Sequence, residues 1–128
     1  MRRGTESLRI ELPWPPSANS IWRRAGRRLH LSAKAIRFHA DVMAAVLAVR
    51  ADRKLAGRIC VCLEAYPPDR RKRDLDNLVK PTLDALTKAG VWLDDEQVEE
   101  LTIRRLNVSR GGLLVAEIYE RKAVANEC

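Results

Sequence analysis

The sequence predicts an α+β fold, in which two main helices pack on one face of a small mixed sheet of about four strands. Three observations support this prediction. Two segments have apolar residues at helical spacing, and a short, almost wholly apolar segment lies between them. Segments near both ends of the chain alternate apolar and polar residues. The chain has 128 residues, which favours a single domain over residues 1–128, with residues 1–7 and 121–128 as flexible termini.

The first half of the chain predicts a strand, a basic segment and a helix. Residues 8–12 alternate apolar and charged side chains, as a half-buried strand does, and the proline-rich segment that follows ends it. The arginine-rich residues 20–31, which surround Gly26, are compatible with a mobile loop or a basic hairpin. Ser32 is a suitable N-cap for a helix that runs to about residue 50 with apolar residues at helical spacing.

Three further strands are predicted in the second half of the chain. Residues 59–63 are almost entirely apolar, which indicates a central strand. Residues 98–108 and 113–119 indicate two more strands, and the Ser-Arg-Gly-Gly segment at residues 109–112 is typical of a hairpin turn between them.

A second helix is predicted ahead of the last two strands. Apolar residues recur at helical spacing from Leu75 to Leu86. Asp76 is a suitable N-cap, and Gly90 suits the C-terminal end. Pro81 removes one backbone hydrogen bond from a helix interior, so the helix is expected to start late or to bend there.

The charge balance indicates a polyanionic partner. The chain has 24 Lys and Arg against 17 Asp and Glu, with a net charge of +7. Such a balance favours nucleic acid, although a basic nucleic-acid-binding protein without catalysis would show it too. No secretion signal and no apolar run long enough for a bilayer are evident, so we expect a cytoplasmic, nucleoid-associated protein with no membrane partner and no small-molecule substrate.

The three cysteines, Cys60, Cys62 and Cys128, are expected to be reduced thiols. Their odd number and the Cys-x-Cys spacing in an apolar run are typical of a cytosolic protein, with Cys60 and Cys62 on one face of a strand. Zinc is not expected, because His30 and His39 are distant in sequence and no Cys-x-x-Cys pair exists.

A group of acidic residues follows the basic run at residues 69–73. Asp74 and Asp76 flank Leu75, and Asp94 and Asp95 come after the second helix. Two carboxylates about 5 Å apart repel each other by roughly 3 kcal/mol at an effective dielectric near 20. A divalent metal ion is the common reason for such a group, and its combination with a basic run suggests chemistry on a polyanion.

Two interpretations of these acids remain open from the sequence. Asp76 and Lys80 are four residues apart and share a helix face, but the helix between Asp76 and Asp94 is roughly 20 Å long. Asp94 and Asp95 therefore reach Asp76 only if the chain folds back or a symmetry-related copy supplies them. Alternatively, the acids are helix caps and a solvated turn, with Asp84 structural and Lys80 a helical ion-pair partner.

Four segments, in order between about residue 8 and residue 120, resemble the RusA family of small Holliday junction resolvases, which are often found in prophages. They are LPWPPSxN at residues 12–19, RDLDNLxK at residues 73–80, DALTKAG at residues 84–90 and WLDDxQV at residues 92–98. The central segment is the most specific of the four.

This resemblance implies an activity, a cofactor and a set of site residues. The activity is paired nicking of opposed strands in a four-way DNA junction, during recombination and repair, by a homodimer with Mg²⁺, or with Mn²⁺ as a substitute. By position, the resemblance makes Asp74, Asp76 and Asp95 the catalytic acids and metal ligands. Asp94 is a further ligand, and Lys80 is the catalytic lysine.

Basic residues in two segments are the expected DNA contacts. Trp14 and Trp22 offer surfaces for unpaired bases, although packing is the preferred interpretation of Trp14, and Trp92 is expected in the core. Asn77 is a weaker site candidate, and Asn19 is expected to hold its loop through a side-chain bond to the backbone, with a phosphate contact as the lesser alternative. The basic candidates are Arg23, Arg24, Arg27, Arg28, Arg70, Arg71, Lys72 and Arg73.

Overall fold

The structure, a computed structural model, describes residues 7–121. The termini predicted to be flexible lie largely outside these residues, but Ser7 begins the first strand and Arg121 forms an ion pair with Glu99. The main elements in chain order are β1 (Ser7–Leu12), β2 (Trp22–Ala25), β3 (Arg28–Leu31), α1 (Ala33–Ala48), β4 (Ile59–Tyr66), α2 (Asp76–Lys88), β5 (Val98–Arg105) and β6 (Leu113–Glu120).

The main sheet has four strands in the order β1-β6-β4-β5. Strand β4 pairs in parallel with β5 and antiparallel with β6, and β6 pairs antiparallel with β1. The prediction of a central strand at residues 59–63 is therefore confirmed. The mixed pairing follows from the connections, because the segment between β4 and β5 contains α2 and so returns the chain in the same direction.

The predicted hairpin between the last two strands is wrong. Strands β5 and β6 lie on opposite sides of β4, and the segment between them crosses the end of β4. Leu106 N–H donates to the Ala65 carbonyl at 2.8 Å, and Ser109 N–H donates to the Pro67 carbonyl at 2.8 Å. The turn signal was correct, since Gly111 has a positive φ, but the apolar strand β4 takes a partner on each edge and separates the two strands.

Both helices pack on one face of the sheet, as predicted for the α+β fold. Alternate residues of β4 from Ile59 to Ala65 join Val42, Val46 and Leu86 in the hydrophobic core. Cys60 and Cys62 lie on the other face of β4, not in a disulfide. Neither helix of the described chain is long and apolar enough to span a bilayer.

The basic segment before α1 is a hairpin, which confirms one of its two predicted alternatives. Strands β2 and β3 pair antiparallel around Gly26, whose φ is +65°. Ser32 caps α1 as predicted, because its Oγ accepts from Ala35 N–H at 3.1 Å. The same hydroxyl donates to the Ser20 carbonyl at 2.6 Å, so one serine joins the hairpin base to the helix.

Helix α2 differs from its prediction at its first turn. Asp76 is already helical, Leu75 occupies the N-cap position, and no side chain caps the helix there. The predicted N-cap role of Asp76 is therefore wrong, although its charge still suits the positive end of the helix. The helix continues through the buried Pro81 to Lys88, and Gly90 follows with a φ of +86°.

Gly112 lies against the side chain of Trp14. A Cβ atom placed on Gly112 would be 2.8 Å from Trp14 Cβ and 3.2 Å from Pro68 Cδ, and the φ of Gly112 is +78°. The neighbouring Gly111 has a φ of +82°, but a Cβ there would meet nothing within 4 Å. Gly112 therefore fixes the position of Trp14 by close approach of the backbone.

These two glycines make a matched pair for a stability test. Gly112→Ala should lower the free energy of unfolding by about 2–4 kcal/mol, because backbone strain adds to overpacking against Trp14. Gly111→Ala should cost only the strain, about 1 kcal/mol. Urea denaturation of both variants measures the difference, and equal losses would contradict the packing of Trp14 on Gly112.

Candidate active site

The cation of Lys80 lies between two carboxylates on the exposed side of α2. Its Nζ is 3.0 Å from Asp84 Oδ1, one turn further along the helix, and 3.8 Å from Asp95 Oδ2. The chain after α2 therefore folds back along the helix within one protomer. Folding back is one of the two alternatives by which the sequence allowed Asp95 to reach Asp76; it occurs in the structure, and the contact that it forms is with Lys80.

The carboxylates around Lys80 hold it in its charged form. The hydrogen bond and charge of Asp84, with a further contribution from Asp95, raise the pKa of Lys80 above its usual value and outweigh the effect of burial. Nearby, burial and the charge of Lys88 lower the pKa of His39, against the opposing effect of Asp84. Lys80 therefore provides a permanent positive charge, whereas His39 tends to be neutral.

Asp95 is held in place by a hydrogen-bond network inside the fold. The Thr87 hydroxyl lies against Asp95 Oδ1 and the Leu83 carbonyl, to which it can donate. It accepts from the indole N–H of Trp92 at 2.6 Å. Trp92 is 1% exposed, so the prediction that it belongs to the core is confirmed. This chain of contacts connects the core to the carboxylate of Asp95.

Asp94 has a different environment from its neighbour. Its carboxylate accepts from Glu96 N–H at 2.9 Å, and its own N–H donates to Gln97 Oε1 at 2.7 Å, which forms a capping box. The buried Gln97 also donates to the carbonyls of Leu55 and Gly57, both at 2.8 Å. Asp94 thus stabilises the turn, and Asp95 is the acid directed at Lys80.

The remaining predicted acids, Asp74 and Asp76, lie at the other end of α2. Both are exposed, and Asp74 lines a cavity of about 670 Å³ together with Asn77, Lys34, Arg71 and Lys72. Asp94 and Asp95 instead line a cavity of about 550 Å³ with Lys80 and Trp22. The structure therefore divides the predicted acidic set between the two ends of α2.

The acids offer oxygen ligands for the Mg²⁺ that the family resemblance implies. No three His, Cys, Asp or Glu side chains within residues 7–121 converge closely enough to hold a metal ion. Mg²⁺ needs only one or two carboxylates, because it retains waters and takes oxygens from substrate phosphate. The exposed carboxylates of Asp74 and Asp76 and the half-buried carboxylate of Asp95 are oxygen donors of the kind that Mg²⁺ takes, but they do not form a closed protein cage.

The arginines of the β2–β3 hairpin divide between its two faces. Cross-strand partners share a face, so Arg23 lies with His30, while Trp22 lies with Leu31. Trp22 and Leu31 line the cavity that contains Lys80. The apolar face of the hairpin thus covers the candidate active site. The four hairpin arginines are exposed: Arg23, Arg24, Arg27 and Arg28.

The basic run before α2 is partly neutralised by Asp69. Asp69 Oδ1 is 2.8 Å from Arg73 Nη1, and Arg71 Nη2 is 3.3 Å from Asp69 Oδ2. These arginines hold the pKa of Asp69 well below its usual range. Arg70 and Lys72 make no ion pair or hydrogen bond with other residues of the described chain, so their charges are available to a ligand.

Asn19 does not stabilise its loop as predicted. It is exposed, and its side chain makes no hydrogen bond within the described part of the chain. The loop is closed instead by Ser20, whose N–H donates to the Ser17 carbonyl at 2.9 Å and whose Oγ contacts the same oxygen at 3.1 Å. The short serine side chains reach this carbonyl, and Asn19 points to solvent.

Comparison with known proteins agrees with the resemblance drawn from the motifs. The family model for Endodeoxyribonuclease RusA matches residues 13–118. Proteins named crossover junction endodeoxyribonuclease RusA, from Enterobacteria phage 82, Shigella sonnei strain Ss046 and Escherichia coli strain K12, are each 43% identical over 111 residues, which is 87% of this chain and 92% of the relative. The chain belongs to the RusA family.

Two residues of this RusA site, Thr87 and Gln97, were not predicted from the sequence, and both position Asp95. The ion pair of Lys80 with Asp84 is one that the alternative interpretation of the acids allowed. The spacing of Asp94 and Gln97 matches a capping box and is a signal that sequence analysis can use. Thr87 carries no such signal, because its partners come from a loop and from the core.

Removal of the Thr87 hydroxyl should destabilise this network. In Thr87→Val the shape is kept, but the buried Trp92 N–H loses its acceptor and Asp95 loses a donor. We expect the free energy of unfolding to fall by about 1–3 kcal/mol in urea denaturation. Thr87→Ser keeps the hydroxyl and should lose clearly less, and a similar loss in both variants would contradict the network.

Proposed function

We propose that this protein is a metal-dependent endodeoxyribonuclease that resolves four-way DNA junctions by paired nicks in opposed strands. Membership of the RusA family supports this function, because the named relatives are crossover junction endodeoxyribonucleases. The observation that carries it is the contact of Lys80 with Asp95 on the exposed side of α2. Such a lysine and such a carboxylate suit chemistry on a phosphodiester.

The proposed catalytic roles follow from the environments of the side chains. Lys80 stays protonated and is largely exposed, so it can stabilise negative charge that develops on a phosphate. Asp74, Asp76 and Asp95 would hold Mg²⁺, with Mn²⁺ as a substitute, and Asp94 would keep the turn in place. The chemistry supplied by the bound ion would be polarisation of the phosphoryl oxygen and activation of water.

Basic surfaces near the two ends of α2 would receive the DNA backbone. Arg71 and Lys72 line the cavity beside Asp74, and Arg70 lies on the same loop. The hairpin whose Trp22 and Leu31 line the cavity that holds Lys80 also carries four exposed arginines. A phosphate backbone that bound at both basic surfaces would pass Asp74, Asp76 and Lys80.

We further propose that the active protein is a homodimer. Two equivalent cuts need two equivalent sites, which a two-fold dimer supplies. The phage origin of one relative supports a prophage source, and the DNA substrate supports action at the nucleoid in the cytoplasm. In such a dimer, a carboxylate from the partner protomer could also complete a metal site at one end of α2.

Substitution of single acids tests the proposed chemistry. Loss of groups around a metal ligand costs about 10–100-fold, so Asp76→Asn and Asp95→Asn should each reduce junction cleavage by more than about 100-fold. Asp94→Asn is the matched control, because asparagine also caps, and it should lose far less. The measurement is cleavage of a mobile four-way junction and of a linear duplex of the same sequence, in Mg²⁺ and in EDTA.

The same assay separates the competing functions. Tight junction binding by wild-type protein with no cleavage in any metal would indicate a basic DNA-binding protein whose acids only stabilise the fold. Mixed dimers of wild type and Asp76→Asn should nick one strand only, if each protomer makes one cut. Paired cuts by such mixed dimers would contradict one active site per protomer.

The unpaired cations of the basic run should contribute to salt-dependent binding. Each phosphate contact contributes about 0.9 to the slope of log K against log salt, so Arg70→Ala with Lys72→Ala should flatten the slope by about 1.8. Arg9→Ala is a suitable control, because Arg9 is exposed on the sheet face opposite the helices. An unchanged slope in the double variant would show that neither residue contacts DNA.

A further inference from the structure

A third cavity lies beside the candidate active site and has no assigned role. Its volume is about 320 Å³, and apolar side chains such as Ala65, Leu75 and Leu106 form much of its lining. Arg70 and Arg105 are among the basic residues at this cavity. Asp69 also lines the cavity, but its ion pairs with Arg71 and Arg73 offset its charge. An apolar interior with a border of net positive charge suits a ligand that is flat and apolar at one end and anionic at the other.

One wall of this cavity is shared with the cavity that contains Asp74. Trp14 and Arg73 line both cavities, and the guanidinium carbon of Arg73 is 5.8 Å from the centroid of the Trp14 ring. The two side chains thus form a cation–π pair between the cavities. A strand with its phosphate beside Asp74 would have a neighbouring nucleotide next to this wall.

The wall is held firmly by its neighbours. Arg73 is fixed by its ion pair with Asp69, and the Arg105 guanidinium donates to the Arg73 carbonyl at 2.6 Å. On the other side, the backbone of Gly112 packs against Trp14. The cavity is therefore formed before any ligand arrives, which reduces the entropic cost of binding.

We propose that this cavity binds one nucleobase unstacked from the DNA next to the cut, with the phosphate of that nucleotide at Arg70 and Arg105. This inference rests on the proposed function and adds a subsite to it. Aromatic and apolar surfaces accept any base through its π-face, and arginines pair with the attached phosphate. A four-way junction offers such a base at its crossover, where stacking is interrupted, and an intact duplex does not.

Filling the cavity tests this subsite. Val108 lines it and is 47% exposed, so Val108→Trp can occupy the cavity, while Val108→Ala leaves it open. Junction affinity is measured without cleavage, in Ca²⁺, for intact junctions and for junctions with one abasic nucleotide at each position near the cut. At one position the missing base should weaken binding by wild type and Val108→Ala by about tenfold.

The filled variant should be insensitive to the same missing base. A penalty that persists unchanged in Val108→Trp, or no penalty at any position in wild type that binds and cuts junctions, would overturn the subsite while leaving the proposed function intact. Failure of wild type to bind junctions would overturn both. If Val108→Trp does not fold, Trp14→Phe should keep the penalty and Trp14→Ala should lose it.

Discussion

The arrangement of the site depends on one buried amide, that of Gln97. Its oxygen accepts from the N–H groups of Leu93 and Asp94, and its nitrogen donates to the carbonyls of Leu55 and Gly57. A buried amide left unpaired costs about 1–3 kcal/mol, so all four bonds favour one path of the chain. That path turns the chain back onto α2 and places the carboxylate of Asp95 beside Lys80.

Charge has two separate uses in this basic protein. Some cations form ion pairs within the protein, as Arg73 does with Asp69 and Lys80 does with Asp84. Others, such as Arg70, project without a partner in the described chain and can form contacts with phosphate. The internal pairs fix geometry, and the unpaired cations give attraction that salt can screen. The number of basic residues in the sequence therefore exceeds the number of cations that are free to bind DNA phosphates.

The sequence predicted the positions of helices and strands better than it predicted which strands pair with each other. The cap at Ser32 and the helix end at Gly90 depend on neighbouring residues, and both were predicted correctly. The pairing of the last two strands depends on β4, a distant chain segment, and that prediction was wrong. The family motifs predicted Lys80 and Asp95 as site residues, and the structure places them together. Metal binding and DNA contacts remain predictions, because each is an interaction with a second molecule and does not follow from the fold of the chain alone.

The sheet joins the two ends of the described chain, since β1 pairs with β6 along its whole length and Ser7 lies opposite Tyr119. During synthesis, β1 therefore has no partner in the main sheet until β6 has left the ribosome. Such distant pairing slows folding, because a long loop must close before the strands can interact. The nascent chain is consequently expected to complete its main sheet only after β6 has emerged from the ribosome.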